Sequence, residues 1–276
     1  MKDMFVVIGG DARLAYAAQE LERRGKKVIS YGNGLCSCPC AQSLKSAMSE
    51  GSDILCGIPL SRDNGETVFA PHFGKKIYTE DFLSAIEPGH TVFAGMAGNF
   101  ITSCAMRGAT CIDYNLIEQF QFCNARLSAE AILAIIISNL PVSISDGRFL
   151  VLGYGRIGKS LCDMLKAMGG DVTASARKQS DFDAMSIKGI DKMHTSEING
   201  ENFDAVVNTI PHKVTNDKFY EQLSPDCLII DASASPGQID KTAAGLFGIK
   251  VYEAFGLPGK FSPKSAGKII VNTILS

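Results

Sequence analysis

The stretch "RFLVLGYGRIGKSLCDMLKAMGGDVTASARK", residues 148–178, decides the fold, because it places Gly153-x-Gly155-x-x-Gly158 between an apolar run and an amphipathic one. The glycine pattern alone is weak, but here it follows a strand, opens a helix and precedes a second strand. Gly153 permits a tight turn, Gly155 lets the backbone approach a pyrophosphate, and Gly158 lets the helix pack on the strand. The stretch therefore predicts a dinucleotide site; a glycine turn without a ligand is the alternative.

The end of the second strand indicates which dinucleotide binds. NAD-binding units place an acid here to hold the ribose 2′-hydroxyl. This strand ends with Ser175, Ala176, Arg177 and Lys178 instead, a hydroxyl and two cations. A guanidinium suits a 2′-phosphate, so we expect NADP, with NAD possible. The alternative is that the two cations form a solvated loop.

Other strand ends of a doubly wound sheet face the same cleft and are expected to line the nicotinamide side. They carry "NTIP" at residues 208–211, "DAS" at 231–233 and "FGLPG" at 255–259. The predicted cofactor-binding residues are therefore Gly153, Tyr154, Gly155, Arg156, Ile157, Gly158, Ser175, Ala176, Arg177, Lys178, Asn208, Thr209, Ile210, Pro211, Ala232, Ser233, Gly256 and Pro258.

The same rhythm of strand, glycine turn and helix starts twice, at Met4 and at Arg148. It predicts an α/β protein with two Rossmann-like, doubly wound parallel-sheet domains joined by long helices. Ser128 is the expected N-cap of an apolar connecting helix that stops before Pro141, and Pro263 is expected to start a terminal helix. We predict domains at residues 1–127 and 146–258, a connecting helix at 128–145, and a helix at 259–276 that returns to the first domain.

Composition narrows the class of protein. A chain of 276 residues with 46% hydrophobic and 20% charged residues suits two globular domains. A net charge of −2 argues against nucleic acid as a partner, and no apolar run reaches the length of a membrane span. Nine cysteines, an odd number, favour reduced thiols in the cytoplasm. The cluster Cys36, Cys38 and Cys40 lacks a fourth ligand nearby, so we predict no metal site.

A second glycine turn opens the chain in "FVVIGGDAR", residues 5–13. Asp11 is expected to be the helix N-cap, and its carboxylate makes the turn a poor site for pyrophosphate. Arg13 follows in the first helical turn, where a guanidinium can bind a carboxylate through two parallel hydrogen bonds. The turn is expected to shape a substrate pocket; the alternative is that Arg13 is an ordinary exposed helix residue.

Five segments together resemble one family: "VIGGDAR", "LGYGRIGKSL", "NTIP", "DASASPGQID" and "GLPGKFSPKSAGKII". In order and spacing the chain resembles the dipicolinate synthase A subunit, the dehydrogenase-like one, over nearly its whole length. The resemblance implies a dehydrogenase-like fold, with the cofactor in the second domain and the substrate in the cleft. It implies oxidation of dihydrodipicolinate, or its hydrated precursor, to pyridine-2,6-dicarboxylate in sporulation. The implied partner is the flavoprotein-like B subunit of dipicolinate synthase, and we also expect a homo-oligomer, a dimer.

A cyclic dicarboxylate substrate needs fixed cations and hydrogen-bond donors. The expected substrate-binding residues are Gly10, Asp11, Arg13, Asn99, Asn124, Ser128, Lys264 and Ser265. The sequence leaves the proton acceptor open among Asp11, Glu130 and His212. Two other functions stay open at this point: a nucleotide-binding subunit without chemistry of its own that organises a flavoprotein partner, and a related amino-acid dehydrogenase.

Overall fold

A computed structural model describes residues 4–234 and 236–276 of the chain. The chain divides into two compact units, one formed by the residues up to Asn124 together with Pro258–Ser276, the other by Ala125–Leu257. We call them unit 1 and unit 2.

Unit 1 is built on a parallel sheet in the order β2-β1-β3-β4-β5. This is the 2-1-3-4-5 order of one doubly wound class. Its strands and first helices, in chain order, are β1 (Met4–Ile8), α1 (Ala12–Arg23), β2 (Lys27–Tyr31), α2 (Leu44–Met48), β3 (Asp53–Cys56), α3 (Thr79–Ser84), β4 (Thr91–Ala94), α4 (Phe100–Ala105) and β5 (Thr110–Asp113).

Unit 2 carries a six-stranded parallel sheet in the order β11-β10-β9-β6-β7-β8, which is the 3-2-1-4-5-6 order of dinucleotide-binding folds. The remaining elements are α5 (Glu118–Asn139), β6 (Arg148–Leu152), α6 (Arg156–Ala167), β7 (Asp171–Ala176), α7 (Gln179–Ile187), β8 (Asp191–His194), β9 (Ala205–Asn208), α8 (Asp217–Gln222), β10 (Leu228–Asp231), α9 (Lys241–Leu246), β11 (Lys250–Glu253), α10 (Leu257–Phe261) and α11 (Pro263–Ile274). The predicted fold class, two doubly wound Rossmann-like sheets, is confirmed.

The start of α1 and the ends of α1 and α6 follow local sequence signals. Asp11 caps α1 by accepting a hydrogen bond from the Arg13 amide (3.0 Å), and Gly25 follows that helix at φ +80°. Gly169 plays the same part after α6 at φ +86°. Glycine adopts this left-handed conformation without strain, so both helices end where the sequence indicates.

One expectation about secondary structure was wrong. The long helix α5 starts at Glu118, so Ser128 lies inside it and is not its N-cap. The sequence pattern also does not indicate the strands β5 and β8. Both lie at sheet edges and neither has a fully buried residue, so they lack the apolar run by which buried strands are recognised.

Helix α5 is long and apolar enough to cross a membrane by length and composition alone. Its apolar positions Ala131, Ile132, Ile135 and Ile136 are instead buried in the core of unit 2. A core helix passes the same composition test, because a helix buried on most sides is apolar nearly all round.

In unit 1, α11 packs closely on α1. A Cβ added at Gly267 would come within 2.6 Å of the Arg13 carbonyl oxygen and 2.8 Å of the Ala17 amide nitrogen. Ile270 and Val271 of α11 share a buried core with Leu14 and other residues of unit 1. Glycine at position 267 therefore brings the two helix backbones together, and α11 completes the apolar core on this face of the sheet.

Candidate cofactor and substrate sites

The glycine loop after β6 has the geometry that a dinucleotide site requires. Gly153 lies at φ +96°, a conformation that other residues rarely adopt. A Cβ at Gly158 would overlap the Gly153 carbonyl oxygen, so helix and loop are in direct backbone contact there. A Cβ at Gly155 would instead meet no atom within 4 Å. The three glycines thus serve a turn, an open approach and a close packing contact, respectively.

A cavity of about 270 Å³ lies at this loop. It is bordered by residues that follow β6, β7, β8 and β9, and the strand order reverses between β6 and β9. Ligands of open α/β sheets bind at that point. The lining residues are Gly153, Tyr154, Gly155, Ser175, Ala176, Arg177, Lys178, Asp181, Thr195, Thr209, Ile210, Pro211 and His212.

The end of β7 presents two cations to this cavity. Arg177 and Lys178 are exposed, and neither has an ion-pair partner among the residues that the structure describes. Ser175 lies near the end of the same strand. Its side chain is fully buried, and its hydroxyl accepts a hydrogen bond from the Gly153 amide (3.1 Å), so it holds the glycine loop.

The acidic side chain in the cavity wall is neutralised locally. Asp181 forms an ion pair with Lys159 (2.9 Å), whose ammonium group also lies 5.2 Å from the centre of the Tyr154 ring. Burial raises the pKa of Tyr154 to about 12, so its hydroxyl stays protonated. Because Asp181 is paired, Arg177 and Lys178 give the cavity an excess of positive charge.

The turn after β9 is fixed by a buried polar network. Asn208 is fully buried; its side chain accepts from the Ile210 amide (3.1 Å) and donates to the Asp231 carboxylate (3.1 Å). Thr209 donates its hydroxyl to the Leu152 carbonyl (2.9 Å). The wall that leads to His212 is therefore tied to both β6 and β10.

Asp231, the first residue of the "DAS" segment, is a buried carboxylate that the predicted cofactor-binding set did not include. Its carboxylate is 1% exposed and accepts five hydrogen bonds. Besides Asn208, the donors are the amide and hydroxyl of Ser233 and the amides of Gln238 and Ile239. Its position at the end of a buried strand, followed by a loop with Pro and Gly, was the available signal. The carboxylate orders the loop after β10.

Other residues predicted to bind the cofactor lie at the margins. Arg156 is exposed and Ile157 half-buried in the first turn of α6, and Ala232 and Ser233 follow β10. Gly256 precedes α10, and Pro258 belongs to unit 1. None of these residues lines the cavity. Thr195 and Asp181 do line the cavity, although they are not among the predicted cofactor-binding residues.

The glycine turn of unit 1 is filled by the protein's own chain. The Gly10 amide donates to the Phe69 carbonyl (2.6 Å), and a Cβ at Gly9 would come within 2.8 Å of the same oxygen. Asn33 donates its side-chain amide to the carbonyls of Gly9, Gly10 and Asp11. The position where a pyrophosphate would approach is taken by residue 69, so this turn does not present a second nucleotide site.

Asp11 and Arg13 bind each other. The Arg13 Nε and Nη2 atoms donate to the Asp11 carboxylate at 2.8–3.2 Å, and Nη2 also donates to the Ile58 carbonyl. Arg13 is 6% exposed. Burial acts to raise the pKa of Asp11, but the hydrogen bonds and charge of Arg13 outweigh it and hold that pKa below its ordinary value. Arg13 points to the carboxyl edge of the sheet, as expected, but its charge is already matched there.

The other candidate residues are spread over both units. In unit 1, Lys264 and Ser265 are exposed in the first turn of α11, and Asn99 is exposed before α4. Within α5, Asn124 is half-buried and Ser128 is buried. Glu130 is exposed on the same helix and pairs with Arg126 (3.4 Å).

The cysteines at residues 36–40 do not assemble a metal centre. Among the described residues, no group of three His, Cys, Asp or Glu side chains is placed to hold a metal ion. Cys36 and Cys38 interact with each other instead. A hydrogen bond from the Cys36 thiol holds the pKa of Cys38 below its ordinary value.

Known proteins resemble this chain throughout. Residues 4–115 match the family model that describes the N-terminal domain of the dipicolinate synthase A subunit. The dipicolinate synthase A subunit of Bacillus subtilis (strain 168) is 26% identical over 283 residues, which cover 97% of this chain and 93% of that protein. The chain is similar to the dipicolinate synthase A subunit over 97% of its length.

Solved structures show the same fold. The crystal structure of the dipicolinate synthase A subunit from Bacillus halodurans superposes with a TM-score of 0.88 at 22% identity, covering 100% of this chain and 97% of that one. A transhydrogenase from Sinorhizobium meliloti gives a TM-score of 0.66 at 13% identity, covering 98% and 92%. These likenesses show the fold, a dehydrogenase-like pair of Rossmann-like units.

Proposed function

We propose that the chain is the NADP-dependent oxidoreductase subunit of a dipicolinate synthase. Its reaction is oxidation of dihydrodipicolinate, or its hydrated precursor, to pyridine-2,6-dicarboxylate. The observation that carries the cofactor assignment is the pair of exposed, unmatched cations Arg177 and Lys178 beside the glycine loop, where an NAD site would have a carboxylate.

The residues of unit 2 fit a dinucleotide. The open space at Gly155 leaves room for the pyrophosphate, and the amides at the start of α6 face it from a helix N-terminus. Arg177 and Lys178 would hold the 2′-phosphate, and Thr209, Ile210 and Pro211 would form the opposite wall. When bound, the nicotinamide accepts a hydride; the protein supplies position and charge.

In unit 1, we propose a smaller set of carboxylate ligands than the sequence suggests. Arg13 is already neutralised by Asp11, so we assign this pair to shaping the pocket. Lys264 and Ser265 retain exposed polar groups in the first turn of α11, whose helix N-terminus favours anions. We propose that they bind a carboxylate of the substrate.

The similarity to the dipicolinate synthase A subunit suggests the setting of the reaction. We propose a cytoplasmic protein of sporulating cells that works together with the flavoprotein-like B subunit. We also propose that this chain forms a homo-oligomer, a dimer. No specific observation in either unit favours the two alternatives, a non-catalytic subunit or an amino-acid dehydrogenase.

Cofactor titration tests the proposal. Wild-type protein is expected to bind NADPH at least tenfold more tightly than NADH, because a charge-assisted contact to the 2′-phosphate contributes about 1.5–3 kcal/mol. Arg177→Asp is expected to reverse this preference. Lys218→Asp is the control and should keep it, because Lys218 is exposed on α8 of the same unit and does not line the cavity. Production of NADPH from NADP⁺ and dihydrodipicolinate by the wild type then tests the reaction. Equal affinities for the two cofactors, or tighter binding of NADH, would contradict the assignment.

A further inference from the structure

His212, one of the three proton-acceptor candidates that the sequence left open, lies in the cofactor cavity. It follows "NTIP" and lines the same cavity as Arg177 and Lys178. Its imidazole is exposed and has no hydrogen-bond or ion-pair partner among residues 4–234 and 236–276. The side chain is therefore available to a ligand in this cavity.

The sheet places His212 opposite the two cations. β9 and β7 are the two neighbours of β6, so their ends lie about 10 Å apart, twice the roughly 4.8 Å spacing of adjacent strands. Arg177 directly follows β7, and His212 comes four residues after the end of β9. The side chains of Arg177 and Lys178 on one side and of His212 on the other can therefore contact the same small ligand group above the end of β6.

The backbone that carries His212 is held in place. Asn208 binds both polar groups of Ile210, accepting from its amide and donating to its carbonyl (3.3 Å), and Asn208 is itself anchored on buried Asp231. Because this turn is fixed in advance, binding of a ligand does not have to order its backbone, and only the His212 side chain loses freedom. The arrangement suits recognition of a group in a defined position.

We infer that His212 donates a hydrogen bond to the 2′-phosphate of the bound dinucleotide, as the third member of a pocket with Arg177 and Lys178. The inference rests on the proposed NADP function and names a residue that determines its specificity. An imidazole has at least one N–H donor in either protonation state, and phosphate oxygens are strong acceptors. His212 is accordingly a cofactor-recognition residue.

Two fragments without nicotinamide test the inference by direct binding to the full-length protein: adenosine 2′,5′-bisphosphate and adenosine 5′-monophosphate. His212→Ala is expected to weaken the bisphosphate about tenfold and to leave the monophosphate within twofold of wild type. Lys213→Ala is the matched control, because Lys213 is the next residue, pairs with Asp240 (3.0 Å) and does not line the cavity. It is expected to leave both affinities unchanged.

The outcomes separate this inference from the proposed function. If wild-type protein shows no preference for the bisphosphate, the NADP assignment itself fails. If wild type shows the preference but His212→Ala retains it, the assignment stands and the role of His212 is refuted. An equal loss for both fragments would also refute it, since the imidazole would then contact the adenosine and not the 2′-phosphate.

Discussion

Gly155 and Gly158 lie three residues apart in one loop, yet the structure predicts opposite consequences for the same substitution. A side chain at Gly155 would project into open space, with no protein atom within 4 Å of its Cβ. A side chain at Gly158 would overlap the Gly153 carbonyl, well inside the 3.0 Å below which real Cβ atoms are essentially never found. We therefore expect Gly155→Val to affect binding and Gly158→Val to affect folding.

The magnitudes follow from these surroundings. At Gly158 the added atoms also face Val151 of β6, so α6 must move off the sheet. Overpacking of this kind costs about 3 kcal/mol, which lowers Tm by roughly 6–12 °C for a domain of this size. Gly155 is the N-cap of α6 at φ −81° and makes no side-chain cap bond, so valine there costs less than about 1 kcal/mol. The same valine occupies the volume of the pyrophosphate and is expected to weaken NADPH at least a hundredfold.

Circular dichroism melts and NADPH fluorescence titrations measure the two effects separately. Gly155→Val should melt within a few degrees of wild type and fail to bind NADPH. Gly158→Val should melt clearly earlier. The reasoning is refuted if Gly155→Val keeps wild-type affinity for NADPH, because the pyrophosphate then lies elsewhere. It is also refuted if Gly158→Val is as stable as wild type, because the contact between loop and helix then has no energetic weight.

Two further substitutions probe the buried carboxylates. Asp231→Asn turns an amide N–H toward at least two of the five donors that surround the carboxylate, and should lower the free energy of unfolding, measured in urea, by about 3 kcal/mol. The control, exposed Asp226→Asn, should change it by less than about 0.5 kcal/mol. Equal values for the two variants would contradict a stabilising role of the network. Asp11→Asn keeps a capping oxygen but leaves buried Arg13 without its counter-charge, which should cost about 3 kcal/mol at pH 7. Because the folded-state pKa of Asp11 lies below its ordinary value, the ion pair stabilises the folded protein above about pH 4. The stability difference between Asp11→Asn and wild type should therefore shrink as acid protonates the wild-type carboxylate. Urea unfolding at several pH values measures it, and a constant difference down to about pH 2 would contradict this.

The sequence by itself determined the fold class and the position of the glycine loop. Both depend on short-range patterns, because the turn at Gly153, the contact at Gly158 and the ends of α1 and α6 are set by residues within a few positions of each other. Apolar runs in the sequence indicate the buried strands. The edge strands β5 and β8 did not, since a half-exposed strand carries no such run. The start of α5 was placed ten residues late because Ser128 resembles a cap locally.

Tertiary structure decided which polar side chains are paired within the protein and which are exposed to a ligand. No local pattern indicates that the Phe69 carbonyl fills the turn at Gly10 or that Arg13 reaches Ile58, because these partners come from distant parts of the chain. In unit 2, the end of β7 displays Arg177 to solvent, and the turn after β9 brings His212 to the same cavity from the other side of β6. The sequence supplies residues of the right chemistry; the parallel sheet, by aligning the carboxyl ends of strands far apart in the chain, decides which of them meet a ligand together.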